Sequence, residues 1–209
     1  MKLSIAEGLY LIAMDDEEGR LLAAAEKSIV PGVISACILE LHLLKKVQLI
    51  NGKISVLDTV GTGNGILDNV LKKIKSGSDL VETVDNLAHH FKDIQHDLNE
   101  LLVQRGILKK EATKLMWIPL SERLDNANYG FEQEIRNGLK VIVFKNAKPT
   151  PAFVILMSLI YDCNILDEVF KDKDEYVDAV KKAKDIINTP ELDPQVSASL
   201  KQLKAHFGK

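Results

Sequence analysis

The chain has 209 residues, a formal net charge of −3 at neutral pH and a pI near 6.0. Hydrophobic residues make up 46% of the sequence, which suffices for a sizeable core, and the length fits one domain over residues 1–209. The slight acidic excess argues against a general polyanion-binding protein, because phosphate backbones are bound by clusters of excess cations.

The N-terminal sequence predicts a helix that begins after Ser4. Ser4 can act as the N-cap, and Glu7 stands three residues later, at the second position of a capping box. A strand over residues 10–14 is an alternative, since the polar residues 15–19 make a good turn. The sequence over residues 20–26 is ambiguous.

A second helix is predicted from apolar residues at three-to-four spacing, namely Ile34, Cys37 or Ile38, Leu41 and Leu44. The apolar period then changes from that of a helix to the alternation of a strand. The helix therefore leads directly into a strand.

The strongest local signal is the dipeptide Asn51-Gly52 between two alternating runs. Both residues tolerate the positive φ of a type I′ turn, so the pattern predicts a two-residue β-hairpin. The short loop sets Leu49 opposite Ile54, and the apolar side chains of both strands then share one face.

The glycine-rich loop at residues 61–65 lies between this hairpin and a helix predicted over residues 66–75. Its glycines have the spacing GxGxG rather than GxGxxG, and no P-loop lysine or parallel β-α-β unit accompanies them. We therefore interpret it as a connecting loop rather than a nucleotide site.

A second helix–hairpin unit is predicted further along the chain. Apolar residues over 91–102 mark an amphipathic helix, with Gly106 at its C′ position. A strand then begins at Ile107, residues 109–113 form a polar turn, and residues 115–118 form the returning strand. The two units together resemble a winged-helix arrangement.

The segment over residues 121–147 is predicted to be mostly helical. Gly130 and Gly138 interrupt this helical pattern, and a strand is an alternative over residues 141–144.

The sequence from Thr150 predicts the centre of the fold. Thr150 is a good N-cap and Pro151 a good first residue of a helix to Asp162, which is apolar nearly all round, as a buried central helix would be. Further helices are predicted over residues 165–170, 174–188 and 194–207. The predicted fold class is mainly α: a single compact domain of amphipathic helices around a buried central helix, with two short β-hairpins.

No catalytic motif or metal site is predicted. The histidines His89, His90 and His96 lack the cysteine or carboxylate partners of a metal-binding set. Cys37 and Cys163 fit core positions as small hydrophobic residues. We therefore expect a non-enzymatic protein with no cofactor and no metal.

The sequence predicts a cytoplasmic protein whose membrane contact, if any, is peripheral. The N-terminus lacks the basic and apolar regions of a signal peptide, and the two cysteines fit a reducing compartment. The longest apolar run, residues 152–161, has about half of the roughly 20 residues that a transmembrane helix needs.

Several short motifs have the order and spacing of a known family. Residues 40–41 (EL) and 46–49 (KVQL), followed by residues 62–64 (TGN) and 66–68 (ILD), resemble motifs of the Golgi phosphoprotein family. Weaker matches near the start and at later segments extend the resemblance over about residues 3–170. The family consists of mostly helical single domains with small hairpins that are not known as enzymes.

The resemblance implies a peripheral adaptor that binds lipid. Eukaryotic members bind phosphatidylinositol 4-phosphate at the Golgi and link glycosyltransferases to coat proteins. Their lipid pocket uses one Trp, which falls by position on Ala24 or Ala25, and three Arg, which fall on Ile34, Lys92 and Gln95. Only Lys92 keeps a cation, so the expected binding of an anionic phospholipid is weak and salt-sensitive.

The candidate head-group residues are therefore Lys92, Gln95, Arg20 and Lys27. Lys92 and Gln95 are three residues apart on a predicted helix and can face one ligand. Arg20 and Lys27 are included as nearby cations from the N-terminal segment that the family's site joins to this helix. The alternative function is a winged-helix-like nucleic-acid-binding or protein-interaction module without lipid binding, and the acidic pI counts against nucleic acid.

Self-association is predicted through the second hairpin. Residues 115–118 are four successive large apolar residues, so at least one side chain must point away from the core of its own domain. Members of the resembled family use a hairpin here for oligomer contacts. Leu115 and Trp117 are the candidate contact residues of a homo-oligomer, and other protein partners remain open.

Overall fold

The computed structural model describes residues 2–15, 19–115, 118–145, 147–190 and 192–207, with backbone alone over 111–123. The described residues form ten helices and two antiparallel sheets. The helices are α1 (Ile5–Ile12), α2 (Ile29–Leu43), α3 (Gly65–Lys73), α4 (Leu80–His90), α5 (Ile94–Gln104), α6 (Tyr129–Phe144), α7 (Pro151–Asp162), α8 (Leu166–Val169), α9 (Lys173–Ile186) and α10 (Pro194–Phe207). The strands are β1 (Val47–Ile50), β2 (Lys53–Val56), β3 (Ser78–Asp79), β4 (Leu108–Leu115) and β5 (Ile118–Asn126).

The N-terminal capping box is confirmed. The Ser4 hydroxyl accepts a hydrogen bond from the backbone N–H of Glu7 at 3.1 Å, and the Glu7 carboxylate accepts one from the Ser4 N–H at 2.8 Å. The alternative strand over residues 10–14 is wrong, because the helix continues to Ile12 and only Met14 makes an isolated β-bridge, to Leu21.

The first hairpin has the predicted register. Leu49 lies opposite Ile54, and both side chains are fully buried. Asn51 and Gly52 have φ values of 50° and 75°, the left-handed conformations that the turn requires. The short strand β3 pairs with β2 and completes a three-stranded sheet that the sequence did not predict.

The second hairpin is longer than predicted and its turn lies elsewhere. Residues 109–113, predicted as a turn, belong to β4, and residues 121–126, predicted as helix, belong to β5. Strand β4 ends at Leu115 and β5 begins at Ile118, and residues 116–117 lie outside the described part of the chain. The hairpin is a two-stranded ribbon, and Lys110 forms an ion pair with Glu100 of α5 at 2.5 Å. Such a ribbon needs no continuous apolar face, so the apolar alternation that marks a strand is absent.

Helix α6 is not interrupted at Gly138, and residues 141–144 are helical rather than a strand. The ring of Phe153 on α7 packs against Gly138, where an added Cβ would lie 2.5 Å from Cζ of Phe153. The glycine therefore serves the close approach of two helices, not a break in one of them.

Helix α7 is the buried centre of the fold, as predicted. Pro151 is its first residue, and Thr150 is its N-cap, whose hydroxyl accepts a hydrogen bond from the N–H of Phe153 at 3.5 Å. Every residue from Val154 to Ile160 is buried, and α7 packs against helices α1, α2, α6, α8, α9 and α10. The prediction of a mainly α, single compact domain with two hairpins is confirmed.

The substitution Leu156→Ala should lower the free energy of unfolding by about 2–5 kcal/mol, because Leu156 is fully buried in α7 and the change leaves a cavity. Urea unfolding followed by circular dichroism measures the difference. The matched control is Val177→Ala on α9, a side chain that is 60% exposed, for which we expect a change within about 0.5 kcal/mol. Equal effects of the two substitutions would contradict the central position of α7.

Candidate functional site

A pocket of about 490 Å³ lies where the segment after α1 meets α5 and the second strand of the long hairpin. Its lining is apolar at Met14, Leu21 and Leu124, and polar at Tyr10, Arg20, Glu26, Gln95 and Asn99, with the backbone of Gly19 between them. The pocket thus joins the N-terminal segment to α5, the two regions in which the head-group residues were predicted.

The segment after α1 folds back on itself and so brings Arg20 to the pocket. The N–H of Asp15 donates to the Arg20 carbonyl at 2.7 Å, and the N–H of Leu22 donates to the Ala13 carbonyl at 2.9 Å. On the opposite side, Gln95 and Asn99 stand one turn apart on α5, so their side chains share a face.

The polar groups of the pocket offer mainly neutral donors and acceptors. The Tyr10 hydroxyl donates to Oδ1 of Asn99 at 2.8 Å. Burial raises the pKa of Tyr10 to about 12, while the hydrogen bond with Asn99 acts in the opposite direction, so the phenol is neutral at physiological pH. Arg20 and Glu26 contribute one positive and one negative charge. The pocket therefore offers a ligand one cation and several neutral hydrogen-bonding groups.

The structure brings two of the four predicted head-group residues together. Arg20 and Gln95 line the pocket, whereas Lys92 and Lys27 are exposed and are not among its lining residues. The expectation that Lys92 shares a helix with Gln95 is wrong, because α5 begins at Ile94 and Lys92 lies in the connection before it.

The positions that match the family's remaining lipid ligands also lie apart from this lining. Ala24 is exposed, whereas Ala25 and Ile34 are fully buried. Ile34 lies inside α2 and offers no side chain to a ligand.

The sequence reasoning missed Tyr10, Asn99, Glu26 and Leu124. Asn99 could have been predicted, because it follows Gln95 by one helical turn and its side chain therefore lies on the same helix face. Leu124 could not be found, because its segment was predicted to be helical. Of the predicted oligomer residues, Leu115 is the last residue of β4, and Trp117 lies outside the described residues.

The motif residues that carry the family resemblance form a second, buried polar network. The Glu7 carboxylate is fully buried and accepts hydrogen bonds from a guanidinium N–H of Arg105 at 2.6 Å and from the Asn64 amide at 3.2 Å. Asn64 also caps α3, its side-chain oxygen accepting from the N–H groups of Ile66 and Leu67. These contacts join α1, α3 and α5, which indicates a structural role for the motif.

Glu40 belongs to the same region and faces Glu7. Its carboxylate accepts a hydrogen bond from the Ile5 N–H at 2.7 Å. Burial raises the pKa of Glu40 to about 7, the hydrogen bond from Ile5 acts against this rise, and the negative charge of Glu7 adds to it. In the folded protein Glu40 is therefore mainly neutral below about pH 7.

The substitution Glu40→Gln should flatten the pH dependence of stability. The pKa of Glu40 rises from 4.5 to about 7 on folding, so between these pH values the unfolded chain releases a proton that the folded protein retains, and the free energy of unfolding falls as pH rises through this range. Glutamine cannot ionise and still accepts from Ile5, so the variant should exceed the wild type by about 1–3 kcal/mol at pH 8 and match it near pH 4.

Thermal unfolding across this pH range measures the effect. Glu134→Gln on α6 is the control, because Glu134 is exposed. If the difference in stability between Glu40→Gln and the wild type is the same at pH 4 and pH 8, the raised pKa of Glu40 is contradicted.

A family comparison agrees with the motif network. The family model described as Golgi phosphoprotein 3 (GPP34) matches residues 5–203, and Glu7, Glu40, Asn64 and Arg105 all lie within this match. It is a non-catalytic adaptor family, and membership suggests an adaptor-type protein associated with the Golgi. Since the match spans nearly the whole chain, the protein belongs to the Golgi phosphoprotein 3 (GPP34) family.

Proposed function

We propose that this protein is a non-enzymatic peripheral membrane adaptor that binds the head groups of anionic phospholipids, phosphoinositides included, in the pocket lined by Arg20 and Gln95. The observation that supports this most is that two distant chain regions, each predicted to supply a head-group ligand, line one pocket. The volume of about 490 Å³ lies within the range of small-molecule sites in proteins.

The chemistry of the lining suits one phosphate and neighbouring hydroxyl groups. The Arg20 guanidinium can donate two parallel hydrogen bonds to phosphate oxygens, and the amides of Gln95 and Asn99 can both donate and accept. Met14 and Leu21 supply apolar contact for the carbon atoms of the ligand. The carboxylate of Glu26 opposes additional negative charge, so binding is weak and poorly selective among anionic lipids.

Exposed cations beside the pocket favour approach to a negatively charged surface. Lys92 and Lys27 are exposed on the two segments that the pocket joins. Each lysine near an anionic bilayer contributes about 1 kcal/mol, and salt screens the attraction. In this proposal both lysines act on the surface of the membrane rather than on one head group.

The proposed location is the cytosolic face of a membrane, the Golgi included, with the protein otherwise in the cytoplasm. Among the described residues, no helix has both the length and the apolar character that crossing a bilayer demands. The family membership supports a Golgi-associated adaptor.

The winged-helix alternative conflicts with the burial of α2. A recognition helix must present a polar face to the major groove of DNA. Helix α2, which precedes the first hairpin, is buried from Gly32 to Leu39 without interruption. It cannot enter a groove without leaving the core, so we disfavour nucleic acid as a partner.

We also propose that the protein forms a homo-oligomer through the second hairpin. Within the described residues, β4 and β5 form a sheet of only two strands, so each strand has an outer edge without a strand partner. Such edges pair readily with another chain. Other protein partners are compatible with the same edges.

Vesicle co-sedimentation tests the lipid site. Gln95→Glu places a second carboxylate in the pocket and should abolish most binding to vesicles that contain phosphatidylserine or a phosphoinositide, while thermal stability stays nearly unchanged. Lys92→Glu should weaken the same binding and make its salt dependence shallower.

The control for this test is Gln133→Glu, which makes the same charge change at an exposed position of α6. It should bind as the wild type does. Undiminished binding by Gln95→Glu would place the lipid elsewhere, and absence of binding by the wild type would remove the lipid function altogether.

Sedimentation velocity tests the oligomer. Trp117→Ala should shift the protein to a smaller species at a concentration where the wild type is associated, because it removes a large apolar contact. Tyr176→Ala is the control, since it removes an exposed aromatic side chain from α9, outside the second hairpin. A wild-type protein that stays monomeric at high concentration would refute the proposal.

A further inference from the structure

The positive charge of the chain is concentrated in one stretch. Residues 44–76 contain six lysines and two aspartates, whereas the whole chain has a net charge of −3. The stretch covers the first hairpin, the glycine-rich loop and α3. One region of the molecule is therefore distinctly positive and the remainder is distinctly negative, which orients the protein in an electric field.

The same stretch exposes large apolar side chains. Leu44, Leu57 and Val60 are 47%, 57% and 68% exposed. The N–H groups of Leu57 and Asp58 donate to the carbonyl of Lys46 at 2.9 and 3.1 Å, which holds this segment beside the end of α2. Leu44 is the C-cap of α2, so the segment that carries Leu57 and Val60 lies beside the C-terminal end of this helix.

Two lysines stand beside these apolar residues. Lys45 directly follows Leu44 and is exposed, with the left-handed φ of 57° that ends α2. Lys72 lies one turn beyond Asp68 on the same face of α3, and the Asp68 carboxylate lies 3.0 Å from where a Cβ of Gly61 would be. One cation thus adjoins Leu44, and the other lies on the helix face that carries Asp68, next to the loop with Val60.

This surface is distinct from the head-group pocket. Helix α2 has 15 residues and is therefore about 22 Å long. Glu26 of the pocket lies three residues before its first residue, whereas Leu44 directly follows its last. The pocket and the apolar surface lie near opposite ends of this helix.

We propose that the surface formed by Leu44, Leu57 and Val60, with Lys45 and Lys72 beside it, is a second contact with an anionic lipid bilayer. The apolar side chains enter the boundary between head groups and acyl chains, and the lysine ammonium groups lie at the phosphates. A bilayer is the occupant that matches both features at once, because it offers a broad negative surface above an apolar layer. This inference rests on the proposed lipid-binding function but uses another part of the chain.

The test removes the apolar contact without changing charge. Leu57→Ser combined with Val60→Ser should weaken co-sedimentation with phosphatidylcholine–phosphatidylserine vesicles by about tenfold or more. The matched control is Tyr176→Ser combined with Val177→Ser, which removes two exposed apolar side chains from α9. The control should bind as the wild type does. Equal binding by both double variants and the wild type would overturn the inference.

The cations are tested in the same way. Lys45→Gln combined with Lys72→Gln should weaken binding by about 30-fold at low salt, since each lysine is worth about 1 kcal/mol. Lys181→Gln combined with Lys184→Gln removes the same charge from exposed positions of α9 and should have little effect. If the two variants lose the same amount of binding, binding depends on net charge alone and the proposed site is refuted.

A fluorescent reporter separates insertion from loss of folding. Cys37 and Cys163 are fully buried, so an environment-sensitive label attaches to a new cysteine at Val60. Anionic vesicles should shift the emission of the label at Val60→Cys to the blue and raise its intensity. The label at Val177→Cys should not respond. If the labelled Val60→Cys protein binds the vesicles but its emission does not shift, the inference is overturned.

The variant Gln95→Glu distinguishes this inference from the proposed function. If binding is lost only in the variant with Leu57→Ser and Val60→Ser, the second contact is supported and the pocket is excluded as the lipid site. Binding that is lost only in Gln95→Glu supports the pocket and overturns the second contact. Absence of wild-type binding overturns both.

Discussion

The buried carboxylate of Glu7 is the interaction on which the arrangement of the N-terminal half depends. It is fully buried, so its charge must be balanced by donors from within the protein. Those donors are the Arg105 guanidinium at the end of α5, the Asn64 amide at the start of α3 and the Ser4 N–H at the start of α1. Loss of one partner would leave a buried charge uncompensated, a change that typically costs about 3–5 kcal/mol. One side chain thereby holds three helices in a fixed relation.

The residues of this network are distinct from those of the proposed ligand site. The motif residues Glu7, Glu40 and Asn64 are used for packing and capping, and a carboxylate with three donors tolerates little substitution. The proposed lipid pocket is lined by other residues, among them Arg20 and Gln95. The scaffold and the proposed ligand site therefore use different side chains, so family membership alone does not specify the ligand.

The elements predicted well from sequence were those specified by local chemistry. Asn51-Gly52 determined both a turn and a register, and Thr150 with Pro151 determined the start of α7. The errors occurred where distant contacts decide. Gly138 resembles a helix break in sequence but accommodates Phe153 from another helix. The lining of the pocket was predicted only in part. Gln95 matches a family ligand by position and Arg20 was added as a nearby cation, whereas Leu124 lies in a strand that was predicted to be helical.

The length of α2 has a consequence for how the protein would rest on a membrane. The two proposed lipid contacts are separated by a rigid rod of about 22 Å, which is comparable to the thickness of one bilayer leaflet with its head groups. An upright helix would keep one contact far above the lipid. Both contacts can engage a single flat bilayer only when α2 lies nearly parallel to its plane. The tilt of this helix would then distinguish two bound states. With α2 parallel to the membrane both contacts bind lipid, and with α2 upright only one of them does.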